Sequence, residues 1–121
     1  MPALIIPHHG VMPRIAPDAF IAETAVVIGD VEIGPRSSIW YGCVLRGDAN
    51  SIRIGSGTNI QDGTVIHVNS PREGAAGTST VIGDNITVGH MALIQSCTLE
   101  SGRFVGMKAC GMGGVVVEGG A

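Results

Sequence analysis

Residues 33–45 read IGPRSSIWYGCVL, and this stretch carries an aliphatic residue at every sixth position. The same register runs along most of the chain, at Ile21, Val27, Ile33, Ile39, Leu45, Ile54, Ile60, Ile66, Ile82, Val88, Ile94, Leu99 and Val105. A period of six fits neither a helix of 3.6 residues per turn nor the alternation of a hairpin meander. It predicts short parallel strands joined by tight corners, with one hexad on each side of a prism.

Three hexads would close a coil of about 18 residues, and successive coils would stack about 4.8 Å apart. The aliphatic residue is expected to point into the prism, and glycine often follows it. A small residue comes four positions after the aliphatic one and is expected near a corner, as at Ala25, Ser37, Cys43, Thr58, Thr64 and Ala92.

The repeat predicts one β-helix domain over residues 1–121, with residues 1–14 as an N-terminal lead-in. Three residues are inserted between Leu45 and Ile54. A longer break, residues 69–80 (NSPREGAAGTST), is polar and rich in glycine and proline, so it predicts a protruding loop.

Composition narrows the classes of partner and compartment. The net charge of −3 argues against nucleic acid, which prefers a basic surface, and no apolar run is long enough to cross a membrane. The N-terminus does not resemble a signal peptide. Three cysteines, Cys43, Cys97 and Cys110, show no metal-binding spacing and are interpreted as buried thiols. We therefore expect a reducing, cytoplasmic compartment.

Four histidines are candidate functional groups. His8 and His9 precede the repeat and are expected to be solvated. His67 follows the inward Ile66, and Gln95 follows the inward Ile94, so both should point outward. If residues 69–80 are an excursion, His67 and Gln95 stack on one outer face, on adjacent coils.

His90 lies two residues after Val88, near a different corner of the prism. Within one prism it cannot easily reach His67 or Gln95, but a neighbouring prism could supply it. His90 is therefore a candidate for one side of an intersubunit site. Surface histidines without a ligand are the alternative.

Several motifs together resemble the gamma-class carbonic anhydrases: LRGD (45–48), IGSGTNIQDGTVIHV (54–68), VIGDNITVGH (81–90), IQSCTL (94–99) and VGM (105–107). The resemblance implies an all-β fold, a left-handed parallel β-helix, assembled as a homotrimer with a metal, usually zinc, at each of three interfaces. It implies a lyase that reversibly hydrates CO2 to bicarbonate. A helix normally follows the β-helix in this family, and we expect this chain to be truncated before it.

The resemblance also assigns residues. His67 matches the family's first metal histidine, and His90 matches the second, donated by the adjacent subunit. Gln95 falls at the third metal position. Two residues match an interface ion pair, Arg46 and Asp48. Three match the polar group that lines the site, Asn59, Gln61 and Asp62.

Glutamine at the third position leaves three interpretations open. Its amide oxygen ligates weakly, a water replaces the ligand, or the metal is lost and the protein is a non-catalytic trimeric scaffold or binding module. A hexapeptide acyltransferase using an acyl-coenzyme A, with His67 or His90 as general base, is a further alternative. The RGD stretch and Gln61 with Asp62 favour the anhydrase, whereas Gln95 favours the non-catalytic relative.

Overall fold

The computed structural model describes residues 2–70 and 79–102, together with the backbone of three further short strands. Its strands are β1 (Leu4–Ile6), β2 (Arg14–Ile15), β3 (Phe20–Ile21), β4 (Val26–Ile33), β5 (Ser38–Ile39), β6 (Val44–Ile54), β7 (Asn59–Ile60), β8 (Val65–His67), β9 (Thr80–Ile82), β10 (Thr87–Val88), β11 (Leu93–Gln95), β12 (Thr98–Leu99), β13 (Phe104–Val105), β14 (Cys110–Gly111) and β15 (Val116–Val117). The predicted loop 69–80 and the predicted truncation lie largely outside these residues.

The strands form a parallel β-helix with three faces, as the period of six predicts. The histidine face contains β1, residues 26–28 of β4, residues 44–46 of β6, β8, β11 and β14. The charged face contains β2, residues 31–33 of β4, residues 52–54 of β6, β9, β12 and β15. The aromatic face contains β3, β5, β7, β10 and β13. Every strand pair is parallel, and only the bridge between His8 and Val11 is antiparallel among the described residues.

Stacked residues reproduce the predicted coil length and its breaks. Arg36 bonds to Asp18 in the coil below, 18 residues away, whereas Ser38 bonds to Asn59, 21 residues away, because three residues are inserted after Leu45. Across residues 69–80 the separation becomes 28, as between Ala92 and Thr64. The ten additional residues therefore leave the register of the prism unchanged.

The interior is a column of the predicted aliphatic residues. From Val27 to Leu99 each of them is at most 4% exposed, while Ile21 near the open end is partly buried. Cys43 and Cys97 are buried free thiols in this column. Val105 and the side chain of Cys110 lie outside the part of the chain whose side chains are described.

Buried hydroxyls at the corners connect one coil to the next. The Thr64 hydroxyl donates to the Gly89 carbonyl at 3.0 Å and accepts from the Ala92 N–H at 3.2 Å. Ser37, Thr58 and Thr80 make the same kind of two-sided contact. At these four corners the hydroxyl pairs backbone groups that the turn would leave unpaired, whereas Ala25 and Ala92 fill the same place in their hexads by size alone.

Glycines after the inward aliphatics form a column at the corner where the Ser37 and Thr58 hydroxyls also lie. A Cβ on Gly34 would lie 2.6 Å from the Gly55 carbonyl oxygen, and one on Gly83 would lie 2.7 Å from the Ser101 hydroxyl. Coils approach too closely there for a side chain. This close approach explains why Gly34, Gly55 and Gly83 recur at the same place in the hexad.

The outer surfaces of the histidine and charged faces differ in chemistry. The histidine face carries an outward apolar row at Leu4, Val26, Val44, Val65 and Leu93. The charged face carries a ladder in which Arg14 and Arg53 each pair with Asp30 and Glu32, at 2.8–3.1 Å. The ladder is a solvated surface, whereas the apolar row has the character of a contact surface.

The segment predicted as a lead-in, residues 1–14, already belongs to the coil. Strand β1 pairs in parallel with β4, Leu4 opposite Val26. His8 and His9 follow in a tight turn closed by two hydrogen bonds between His8 and Val11, both 3.0 Å. The sequence conceals strand β1 because its inward residue, Ile5, lies ten positions before Ile15 and therefore does not continue the period of six.

Candidate metal centre

His67 and Gln95 stand side by side on the histidine face. They are paired in register between β8 and β11, with the inward Ile66 and Ile94 paired beside them. Both side chains are partly exposed on the outside of the prism. The predicted stacking of these two residues on adjacent coils is thus confirmed.

A carboxylate fixes the orientation of His67. The imidazole Nε2 lies 3.0 Å from Oδ1 of Asp48, and Arg46 donates to the other carboxylate oxygen at 2.8 and 3.1 Å. Burial alone would raise the pKa of Asp48, but its hydrogen bonds with Arg46 and His67 hold that pKa below its usual value. An ionised carboxylate only accepts, so Nε2 of His67 is the donor in this contact, and Nδ1 is the ring nitrogen left for another partner.

The Arg46–Asp48 pair forms within one chain. Both guanidinium contacts go to the same carboxylate oxygen, so Oδ1 is left to His67. The Arg46 side chain remains 45% exposed and that of Asp48 20% exposed. Arg46 therefore has solvent-facing donors that can meet a neighbouring molecule.

Gln95 is oriented by the residue that begins the long loop. Its Nε2 donates to Oδ1 of Asn69 at 3.0 Å. This contact turns the amide nitrogen toward the loop, which leaves the carbonyl oxygen as the group that Gln95 offers on the histidine face. An amide oxygen is a neutral and weakly basic ligand.

His90 lies elsewhere on the same chain, at the corner between the aromatic and histidine faces. It lines a cleft of about 400 Å³ together with Trp40, Tyr41, Gln61 and Asp62. The side chains of His90 and Asp62 are exposed. The structure thus brings together three predicted site residues here, His90, Gln61 and Asp62, and a different pair on the histidine face.

Asn59 shares a hydrogen-bond chain with Trp40, one of the cleft-lining residues, and the sequence did not predict this chain. Its Oδ1 accepts from the Ser38 hydroxyl at 2.6 Å and from the Trp40 indole N–H at 3.2 Å, while the same N–H also donates to Ser38 at 2.9 Å. Ser38 and Asn59 are register partners on adjacent coils. They have the same place in hexads one coil apart, which fixes their register but does not predict the contact between their side chains.

Within the described residues, no three histidine, cysteine, aspartate or glutamate side chains of one chain come close enough to hold a metal ion. Each prism therefore carries two incomplete sets of candidate metal-site residues on its outside, His67 with Gln95 and His90 with Gln61 and Asp62. In the same part of the chain, no helix is long and apolar enough to cross a membrane.

Known proteins that are similar to this chain have the same kind of repeat and fold. A family model described as "Bacterial transferase hexapeptide (six repeats)" matches residues 12–47. A crystal structure of a hexapeptide transferase family protein from Anaplasma phagocytophilum has a TM-score of 0.79 and 38% identity, and it covers 97% of this chain and 76% of its own.

Several curated relatives carry carbonic anhydrase names, and two of them show the range of identity. "Gamma carbonic anhydrase 2, mitochondrial" of Arabidopsis thaliana is 58% identical over 106 residues, covering 88% of this chain and 38% of the relative. "Probable carbonic anhydrase" of Methanocaldococcus jannaschii is 44% identical over 95 residues, covering 78% of this chain and 56% of the relative. The chain thus spans less than two thirds of either relative. It belongs to the hexapeptide-repeat family of parallel β-helix proteins, as a relative of the gamma-class carbonic anhydrases.

Proposed function

We propose that this chain forms a trimer that reversibly hydrates CO2 to bicarbonate at metal centres between its subunits. The observation that carries the proposal is that the candidate metal ligands are divided into two sets, both on the outside of the prism. His67 and Gln95 are paired in register on the histidine face, and His90 lies with Gln61 and Asp62 at a different corner. A neighbouring subunit that brings its His90 corner against this face would complete the donor set.

The histidine face has the surface that such an assembly requires. Its outward row includes Leu4 at 59% and Leu93 at 37% exposure, whereas the charged face is covered by ion pairs. Burying apolar area stabilises association. A ring of three heterologous contacts, each joining the histidine face of one chain to the His90 corner of the next, would leave the charged face in water.

The residues on the histidine face fit a divalent metal. Metal-binding histidines usually donate their second ring N–H to a carboxylate, and Asp48 accepts such a bond from His67. In this arrangement Nδ1 of His67, the amide oxygen of Gln95 and an imidazole nitrogen of a neighbour's His90 would hold the ion. Zinc, the proposed cofactor, would lower the pKa of a water molecule to about 7 and so supply a nucleophile at neutral pH.

The remaining residues would bind and orient the substrate. Gln61 and Asn59 present amide groups on the aromatic face, where they can hydrogen-bond to the oxygens of CO2 or bicarbonate. Asp62 lines the same cleft and can accept a proton or hold a water. Arg46, half exposed beside Asp48, is proposed to contact the neighbouring subunit while it keeps Asp48 directed at His67.

The second candidate is a trimer without catalysis, and Gln95 is the observation that favours it. Exchanging an imidazole for an amide oxygen weakens a site for zinc.

The buried thiols Cys43 and Cys97 suit a reducing compartment, and we propose the cytoplasm as the location. Nucleic acid and membranes are not proposed as partners.

Metal content and CO2 hydration, measured on the same purified trimer, test the proposal. We expect one zinc per subunit and measurable hydration, both removed by His67→Ala. His9→Ala is the matched control, because it deletes an imidazole outside the proposed centre and should change neither quantity. A trimer that remains metal-free in excess zinc would identify the non-catalytic relative instead.

A further inference from the structure

The amide of Asn59 is held in one orientation by the coil below it. Both hydrogen bonds that reach it, from Ser38 at 2.6 Å and from Trp40 at 3.2 Å, end on the carbonyl oxygen Oδ1. Ser38 in turn accepts from Trp40 at 2.9 Å, so its only hydroxyl proton is directed at Asn59. If the amide were reversed, the NH2 group of Asn59 would face the Ser38 hydroxyl proton and the Trp40 indole N–H, which are both donors.

Asn59 therefore shows its NH2 group, and only donors, to its remaining surroundings. No partner for this nitrogen occurs among the residues that the structure describes, although the side chain is partly buried. Gln61 follows Asn59 by two positions, so both amides are on the outside of the same face. Trp40 belongs to the chain that orients Asn59 and also lines the cleft with Gln61 and His90.

We propose that Ser38 and Trp40 are positioning residues that make Asn59 a donor-only contact, and that this contact selects an anionic ligand, bicarbonate, in the cleft. The inference rests on the proposed function. An ionised carboxylate-like oxygen accepts hydrogen bonds from N–H groups, and such charge-assisted bonds are stronger than neutral ones. The series Trp40 N–H to Ser38 O–H to Asn59 C=O also polarises the amide, because linked hydrogen bonds reinforce one another.

Asn59→Asp separates this role from a structural one. The aspartate keeps an oxygen that accepts from Ser38 and Trp40, so the coil contact survives. It replaces the NH2 donor by a second acceptor that carries negative charge. A purely structural role predicts unchanged behaviour, whereas the proposed role predicts loss of bicarbonate binding.

Trp40 is the only tryptophan in the chain, so its fluorescence reports on the cleft directly. We expect bicarbonate, added to the intact trimer at constant ionic strength, to change this fluorescence in a saturable way. Asn59→Asp should remove the change. Ser38→Ala, which deletes one hydrogen bond to the amide, should weaken binding by roughly threefold to tenfold.

Ser51→Ala is the matched control for Ser38→Ala. It deletes one serine hydroxyl that bonds to Ser79 at 2.8 Å, away from the cleft, and should leave bicarbonate binding unchanged. Circular dichroism and sedimentation confirm that each variant remains folded and assembled.

The outcomes separate this inference from the function on which it rests. Saturable binding that is unaffected by Asn59→Asp and Ser38→Ala would overturn the role of Asn59 and leave CO2 hydration standing. Binding that is lost in these variants, in a protein without hydration activity, would support the donor-only contact and reject the catalysis. A wild-type trimer that hydrates CO2 but gives no response to bicarbonate would overturn the donor-only contact alone, and one that does neither would overturn both.

Discussion

Gln95 is the register partner of His67 on the neighbouring coil, so its amide stands about 4.8 Å from the imidazole along the axis of the β-helix. Backbone pairing fixes this spacing, and the side chains hold it: Asp48 orients His67, and Asn69 orients Gln95. The amide of Gln95 is therefore held in place by a hydrogen bond, as the imidazole of His67 is.

Gln95→His should raise the affinity for zinc, because a nitrogen donor replaces a weak amide oxygen. Changes in groups that only support a ligand alter metal affinity by roughly 10–100-fold, and a change of the ligand itself should exceed that range. Competition with a chromophoric chelator measures the affinity. Thr98→His, which adds an imidazole to the charged face, should have no such effect.

Arg46→Ala should weaken the trimer more than it destabilises the chain. The exposed Arg46–Asp48 pair contributes only about 0–1 kcal/mol within the chain, since solvent screens it. Sedimentation at decreasing protein concentration should show dissociation starting at a higher concentration than in the wild type. Arg53→Ala removes a comparably exposed arginine from the charged face and should leave assembly unchanged. Equal dissociation of the two variants would remove Arg46 from the interface.

Thr64→Val should lower the free energy of unfolding by about 1–3 kcal/mol, because it leaves the Gly89 carbonyl and the Ala92 N–H buried without a partner. The two side chains have almost the same shape, so packing is preserved. Thr64→Ser retains the hydroxyl and should retain more of the stability. Urea unfolding of both variants makes the comparison. Equal stability of the valine variant and the wild type would show that corner positions require only small volume.

The charged face should make stability sensitive to acid. Arg14, with support from Arg53, holds the pKa of Asp30 below its usual value despite partial burial. A carboxyl with a lowered folded-state pKa stabilises the protein above its unfolded-state pKa of about 3.9, and this contribution disappears as the pH falls through the folded value. The difference in unfolding midpoint between wild type and Asp30→Asn should therefore have its largest value at pH 6. It should shrink as the pH falls below about 4.

An Arg14→Gln background provides the control for this titration, since it removes the main partner of Asp30. In that background the effect of Asp30→Asn should shrink. A difference that stays constant from pH 6 to pH 3 would show that Asp30 does not contribute through its charge.

The period of six was sufficient to predict the coil, its breaks and the inward column. It was sufficient because each position of the hexad has the same environment on every side of the prism. Ile66 and Ile94 therefore point inward, and the residues after them, His67 and Gln95, point outward. The pairing of His67 with Gln95 follows from counting alone once residues 69–80 are treated as an excursion.

Contacts between coils were harder to predict because they depend on rotamers as well as register. The motif pairs Arg46 with Asp48, but it does not show that the second carboxylate oxygen reaches His67. The chain from Trp40 through Ser38 to Asn59 joins residues 21 positions apart, and a polar residue on an outer strand gives no signal of its partner. The coil at residues 4–6 was missed since its aliphatics do not continue the period.

Mixed assembly tests the central claim, a metal centre shared between subunits, most directly. His67→Ala and His90→Ala, each combined with Gln95→His, should bind zinc much more weakly as separate trimers than Gln95→His alone, because each interface then keeps only two of the three imidazoles. Unfolded together and refolded in equal amounts, they should regain zinc at about one interface in four, because one mutant chain supplies the intact histidine face and the other supplies the intact His90. Recovery of zinc binding only in the mixture would match a shared centre. A mixture that binds no more zinc than the separate variants, or a single variant that still binds it fully, would contradict it.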